Sequence, residues 1–217
     1  MLRFGLDYRE ANPMTKTVKL YAQAYQDRSD RVRWLLEELK VPYENVWLNK
    51  KNGDLASPSY LALNPQGRTP TLVDDDIVLF ESTALCLYIA DTYGNGSLAP
   101  RAENKKLRAE YMQWMTWSTG SLECVIARMF THVSSPEETQ VTKTYVKEQC
   151  QIFQKLLVPI LSKHDYILST GFSAADIMLG AIIPGAHEFL VEGIKPLEAY
   201  MNRLKAREAA VKAKVFE

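Results

Sequence analysis

The spacing of apolar residues changes character once along this chain, and the change divides it. The run TVKLYA (17–22) is rich in strand formers. SDRVRWLLEELK (29–40) follows, with Val32, Leu35, Leu36 and Leu39 at i, i+3, i+4 and i+7. That spacing predicts an amphipathic helix with Ser29 or Asp30 as its N-cap and Pro42 as its stop. YENVWL (43–48) reads as the next strand, and the polar stretch from Asn49 to Ser57 leads to a short helical piece around Tyr60 to Leu63. Two apolar runs, Thr71-Leu72-Val73 and Ile77-Val78-Leu79-Phe80, flank the turn Asp74-Asp75-Asp76 and predict a hairpin. A helix from Ser82 to Tyr93 completes the order β-α-β-α-β-β-α, a parallel βαβ start followed by an antiparallel hairpin.

GNGSLAP (94–100) is dense in breakers and marks a boundary. Beyond it the strand signal almost vanishes. Leu107, Tyr111, Trp114/Met115, Ser118, Leu122, Val125 and Met129 hold helical spacing over 103–131. A second long helix is predicted over 137–163, with Ile152, Phe153, Leu156, Leu157 and Ile160 on one face and a kink at Pro159. Further helices are expected at 174–190 and 196–214. The predicted architecture is an α/β domain over 14–94, a linker over 95–102 and an all-helical domain over 103–217. Residues 1–13, MLRFGLDYREANP, lack the apolar centre of a signal peptide and read as an N-terminal extension ahead of Met14.

Composition narrows the function classes. Lys+Arg and Asp+Glu are both 26, so the chain carries no net charge and lacks the basic excess of a nucleic-acid binder. No apolar run approaches the ~20 residues that span a bilayer. Cys86, Cys124 and Cys150 are odd in number, widely spaced and set in apolar contexts, as expected of reduced core residues in a cytoplasmic protein. His132, His164 and His187 are far apart with no HxxxH or CxxC beside them, so no metal site is expected. No phosphate-binding glycine loop is present either.

Three short stretches offer chemistry. In AYQDRSDR (24–31), Ser29 places a hydroxyl at the positive end of the first helix, with Arg28 and Arg31 beside it. Such a turn stabilises an anion, a thiolate included; from spacing alone a helix cap is the plainer role for Ser29. Glu81-Ser82 opens another helix, where free N–H groups and the hydroxyl suit a carboxylate and Glu81 suits an ammonium group, and again a cap is the plainer role. Thr69-Pro70 precedes a strand and either starts it or forms a cis bond that presents the Thr69 backbone to a ligand. Ser173-Ala174-Ala175-Asp176 is a capping box with Asp in the acidic place.

In this order and spacing, RVRWLLEELKVPYE, LNPQGRTPTLVDDD, LFESTALCLYIADTY and GFSAADIMLG resemble the glutathione S-transferase family, cytosolic and bacterial-like in type, from about Lys16 onward. The resemblance implies a thioredoxin-like glutathione-binding domain followed by a helical-bundle domain that supplies an apolar pocket, its lining expected around Tyr111, Trp114, Met115 and Trp117. Pro70 would be the family's cis-proline, Glu81 and Ser82 would grip the γ-glutamyl end, and the Thr69 backbone would pair with the cysteinyl part. Arg68, with Lys50 or Lys51, would reach the glycine carboxylate. Ser29 is the expected contact to the sulfur, with Gln26, Arg28 and Tyr21 as alternatives. The turn has no cysteine, which disfavours cysteine-based chemistry. The implied activity is thiolate attack on a hydrophobic electrophile by a cytoplasmic, homodimeric detoxification enzyme that uses glutathione and no metal. A glutathione-dependent peroxidase or isomerase, or a non-catalytic scaffold of the same fold, stands as the alternative.

Overall fold

A computed structural model describes residues 17–130 and 135–217. The extension over 1–13, the end of the helix expected to reach 131, and His132 lie outside the described residues. Strand β1 (Val18–Ala22) buries Val18, Leu20 and Ala22 and turns Lys19 outward. It pairs in parallel with β2 (Tyr43–Trp47) and antiparallel with β3 (Thr71–Asp74), which pairs antiparallel with β4 (Ile77–Phe80). The sheet order is therefore β2-β1-β3-β4, with Leu20 opposite Asn45 on one side and Leu72 on the other. In the hairpin turn Asp75 takes φ 61°, a left-handed conformation that Asp tolerates.

Helix α1 (Ser29–Glu38) is buried more completely than one amphipathic stripe requires. It packs against α3 (Ser82–Tyr93) on the sheet side and against α7 (Ala174–Ile182) and α10 (Glu208–Lys212) from the C-terminal half. Consequently Ser29, Asp30, Arg31 and Arg33 are buried along with Val32, Trp34, Leu35 and Leu36. Arg33 is compensated by Asp30 at 2.5 Å and the Ala213 carbonyl at 3.5 Å. The expected capping by Ser29 or Asp30 is corrected. Arg28 precedes the helix, the Asp27 carboxylate accepts the Ser29 N–H at 2.7 Å, and Asp30 reaches back to accept the Gln26 N–H at 2.6 Å.

The long helix expected over 103–131 changes hydrogen-bond register partway. Helix α4 (Lys105–Trp117) runs into a π turn (Ser118–Glu123), then α5 (Cys124–Ile126) and a 3-10 turn (Ala127–Phe130). Side chains at helical spacing still reach the core, so sequence periodicity does not betray the change. Helix α6 (Pro136–Leu161) starts on the Ser135 hydroxyl, which accepts the Glu138 N–H, and continues through Pro159 in its last turn. Its buried stripe is Val146, Cys150, Phe153, Leu157 and Leu161; Ile152 and Leu156, expected on that face, point to solvent about 100° away. The segment expected over 174–190 divides at Pro184 into α7, a 3-10 turn (Ile183–Ala186) and α8 (His187–Leu190). The last segment divides into α9 (Lys195–Lys205) and α10. The short helix near Tyr60 is α2 (Pro58–Leu61). Among the described residues, no helix is long and apolar enough to cross a membrane.

The capping box at the start of α7 ties three segments together. The fully buried Asp176 carboxylate accepts the N–H groups of Ile167 (2.8 Å) and Ser173 (2.9 Å) and the hydroxyls of Tyr200 (3.0 Å) and Ser173 (3.1 Å). Burial pushes this carboxyl up to about 6 against those four donors. Its proton thus persists in the folded state after the unfolded chain has lost it near ~4. Stability from this group is full below that lower value and declines as pH rises toward 6. The unfolding-temperature difference between the wild type and Asp176→Asn should shrink from pH 4 to pH 6; a difference that widens would contradict this protonation scheme.

Candidate functional site

Two cavities meet at the N-terminus of α1. The first, about 230 Å³, is polar and includes Arg68, Thr69, Pro70, Glu81 and Ser82 in its lining. Its loop is held from behind: the buried Tyr60 hydroxyl donates to the Arg68 carbonyl at 2.5 Å, and Asn64 Nδ2 donates to the same oxygen at 2.8 Å. Both groups also contact the Thr71 hydroxyl, at 2.9 and 3.1 Å. Gln23 Nε2 donates to Thr69 Oγ1 at 3.0 Å, and the Thr69-Pro70 bond is cis. Among the described residues the Thr69 amide and carbonyl have no backbone partner, so both remain available to an extended ligand.

Glu81 precedes α3 with φ 75° and ψ 107°, a backbone conformation that L-residues rarely hold. Its carboxylate is exposed while Ser82 beside it is buried. Ser82 Oγ accepts from Arg31 Nη1 at 3.3 Å. Because that oxygen is an acceptor toward a cation, its proton can be donated to a carboxylate arriving in the cleft.

The π turn brings a third wall from the C-terminal half. Thr119 lies 3.0 Å from the Thr83 hydroxyl, and Glu123 accepts a bidentate pair from Arg31 at 3.0 and 3.1 Å. Arg28 Nε donates to the same carboxylate at 2.8 Å. Burial alone would raise the Glu123 carboxyl, but the hydrogen bonds and charges of Arg31 and Arg28 outweigh it and hold it below its ordinary value.

The second cavity, about 600 Å³, opens beside the first; Ile126, Phe130, Ile182, Pro184, Val215 and Phe216 form its apolar wall, opposite a polar side that includes Asp27, Asp30, Arg31, Lys205 and Glu217. Gln26 and Arg28 are part of its lining. Among the described residues, no group of His, Cys, Asp and Glu side chains is arranged to hold a metal ion.

Of the residues expected at the site, Arg68, Thr69, Pro70, Glu81 and Ser82 come together in one cleft, and Arg28 joins them. Ser29 does not. Its side chain is fully buried, its hydroxyl donating to the Asp27 carboxylate and accepting from Arg33 Nη2 at 3.2 Å, and it lines neither cavity. The Ser29 hydroxyl is turned to Asp27 and Arg33, whereas the Arg28 side chain one residue earlier is half-exposed. Tyr21 stacks on Tyr60 with ring centroids 5.7 Å apart and is likewise outside both linings, as are Lys50 and Lys51 on their 3-10 turn (Lys50–Asn52). The expected pocket lining is corrected: Tyr111, Trp114 and Met115 are buried in the core, where α4 packs on α7, and they line neither cavity. Trp117 sits edge-on between Trp114 and Phe153.

Sequence reasoning missed Gln23 and Glu123, which lie in none of the quoted stretches, and gave no role to Asn64, which lies in LNPQGRTPTLVDDD. It also missed the apolar cavity, whose walls come from separate segments. The breaker Pro184 was the one available sign that a wall forms there.

A family model described as "Glutathione S-transferase, N-terminal domain" matches residues 16–91. Over 95 residues the chain is 40% identical to Glutathione S-transferase 3 of Schizosaccharomyces pombe, an alignment spanning 44% of this chain and 38% of that protein. It is 28% identical over 171 residues to Glutathione S-transferase GstB of Escherichia coli strain K12, covering 76% of this chain and 81% of that one. The theta class glutathione S-transferase of the citrus canker pathogen Xanthomonas axonopodis pv. citri, solved with glutathione bound, superimposes with a TM-score of 0.77 at 27% identity, covering 94% of this chain and 99% of that one. Residues 16–91 match the N-terminal domain of the glutathione S-transferases, and the whole fold, a thioredoxin-like mixed sheet followed by a helical C-terminal region, is similar to that of the solved theta class enzyme.

Proposed function

We propose that this protein is a glutathione transferase that activates glutathione as a thiolate for attack on a hydrophobic electrophile. The observation that carries the reading is the meeting of a polar cleft, floored by the Ser82 hydroxyl with Arg31 behind it, and an apolar cavity walled by the C-terminal half. In this reading Ser82 and the α3 N-terminus receive the γ-glutamyl carboxylate, Glu81 its ammonium group, and Thr69 the cysteinyl backbone. Arg68 takes the glycine carboxylate. Three cations around the cleft (Arg28, Arg31, Arg68) against two carboxylates (Glu81, Glu123) leave one net positive charge, which suits an anionic tripeptide.

The sulfur-facing role passes from Ser29 to Arg28, because the Ser29 hydroxyl is committed to Asp27 and Arg33 and Arg28 stands where the cavities join. A guanidinium together with a helix N-terminus supplies the about 2.7 kcal/mol that a two-unit drop in thiol pKa requires. A cytoplasmic setting is supported by three free thiols; Cys86 and Cys150 are buried as expected, whereas Cys124, expected in the core, is exposed. A homodimer is supported by Ile77, Val78 and Phe80 exposed along the edge strand β4. Clearance of foreign electrophiles is the role this chemistry fits.

The test is a titration with glutathione at neutral pH that records heat of binding and the ultraviolet thiolate band together, followed by turnover with aryl halides and hydroperoxides. Binding, a new band and aryl halide turnover are expected. Ser29→Ala should lower the unfolding temperature and leave the band in place; loss of the band in that variant would return the sulfur to Ser29. Binding without a band would favour an isomerase or carrier, and no binding up to millimolar glutathione would favour a scaffold.

A further inference from the structure

Arg28 and Glu123 are the two residues shared by the linings of both cavities, so one ion pair stands at the junction where a sulfur held in the first cavity must meet a molecule held in the second. The pair is asymmetric. Arg28 is half-exposed and holds Glu123 through one hydrogen bond from Nε, whereas Arg31 is buried and grips both carboxylate oxygens. If the pair opens, Glu123 keeps a partner and Arg28 is released. The carboxylate also comes from the π turn of the C-terminal half and the arginine from the N-terminal half, so the contact joins the two parts of the fold at the reacting centre.

We propose that Arg28–Glu123 is an exchangeable pair at the reacting centre: Arg28 gives up the Glu123 carboxylate for the glutathione sulfur, and Arg31 retains Glu123. The inference rests on the glutathione reading given above. When the thiol S–H bond breaks, the electron pair stays on sulfur facing Arg28 and the proton leaves to solvent water. Glu123 is not its acceptor, because its carboxyl is held below the ordinary carboxylate value and Arg31 still engages both of its oxygens after Arg28 leaves. Glu123 therefore acts as a positioning residue. It holds the free guanidinium at the junction, and once glutathione is bound its negative charge opposes the thiolate and limits how acidic the thiol becomes.

These roles predict opposite shifts for the two partners. Arg28→Gln should raise the pH at which the bound-thiol band appears by about one unit or more, a tenfold change in the ionisation equilibrium, and should reduce the protons released on binding, measured calorimetrically in buffers of different ionisation heat. Glu123→Gln should lower that pH by a similar amount and increase proton release. Circular dichroism checks that Glu123→Gln, which also loosens Arg31, still folds. Arg28→Gln, at a half-exposed site, carries the test if it does not. A band that appears at the wild-type pH in a folded variant of either kind overturns the exchange. Absence of any binding heat with the wild-type protein overturns the glutathione reading itself and the exchange with it.

Discussion

Asp176→Ala is expected to lower the unfolding midpoint by about 10 °C, the largest stability loss of any single substitution considered for this chain. The carboxylate is fully buried, and four donors from Ile167, Ser173 and Tyr200 converge on it. Alanine leaves two buried N–H groups and a buried tyrosine hydroxyl without an acceptor. It also removes half of the capping box that starts α7. Removing one member of such a buried network costs about 3–5 kcal/mol, and each kcal/mol moves the midpoint by about 2–4 °C in a chain of this size. Asp176→Asn keeps the shape and two lone pairs and should recover part of the loss. Thermal unfolding by circular dichroism decides it: a drop under about 3 °C for the alanine variant would mean the network contributes little. The effect reaches the site indirectly, because α7 packs on α1, whose N-terminus carries Arg28 and Arg31.

Glu81→Gln combined with Ser82→Ala is expected to weaken glutathione binding by at least about 150-fold. Each substitution removes one charge-assisted contact, worth about 1.5–3 kcal/mol in a partly buried setting. Ser82→Ala also takes away the hydroxyl through which Arg31 acts on the cleft, so that cation no longer polarises a donor aimed at the ligand. Glu81→Gln alone should act mainly through the ammonium group, and the glutathione analogue lacking that group should bind wild type and Glu81→Gln equally. Calorimetric titration at neutral pH measures both comparisons. A double variant that binds within about twofold of wild type would remove these residues from the binding site.

Much of the N-terminal half could be read directly. The spacing of Val32, Leu35 and Leu36 located α1, and the acidic turn between two apolar runs located the hairpin. Arg68, Thr69, Pro70, Glu81 and Ser82 lie within two short segments, and those segments are joined through the β3–β4 hairpin. Local chemistry left each with a plainer structural role; the family resemblance grouped them, and the hairpin is what brings the two segments together. The helices of the C-terminal half were harder. The break between α7 and α8 at Pro184 has a visible cause, but the π turn after Trp117 preserves helical spacing on both sides and leaves no mark in the pattern.

The sequence by itself determined the order of elements in the N-terminal half, the βαβ start and the hairpin, since each depends on neighbours a few positions away, whereas the residues of the polar cleft came from the family resemblance. Only the tertiary structure decided that Ser29 turns inward to Asp27 and Arg33 and that Arg28 faces the junction, because a helix rotation of 100° per residue separates the two. It also decided that Tyr111, Trp114 and Met115 fill the core and that Ile126, Phe130, Ile182 and Phe216 line the apolar cavity. Apolar character is the same in both places. Whether such a residue packs or lines a cavity depends on which distant segment arrives to cover it, and that is a property of the assembled chain.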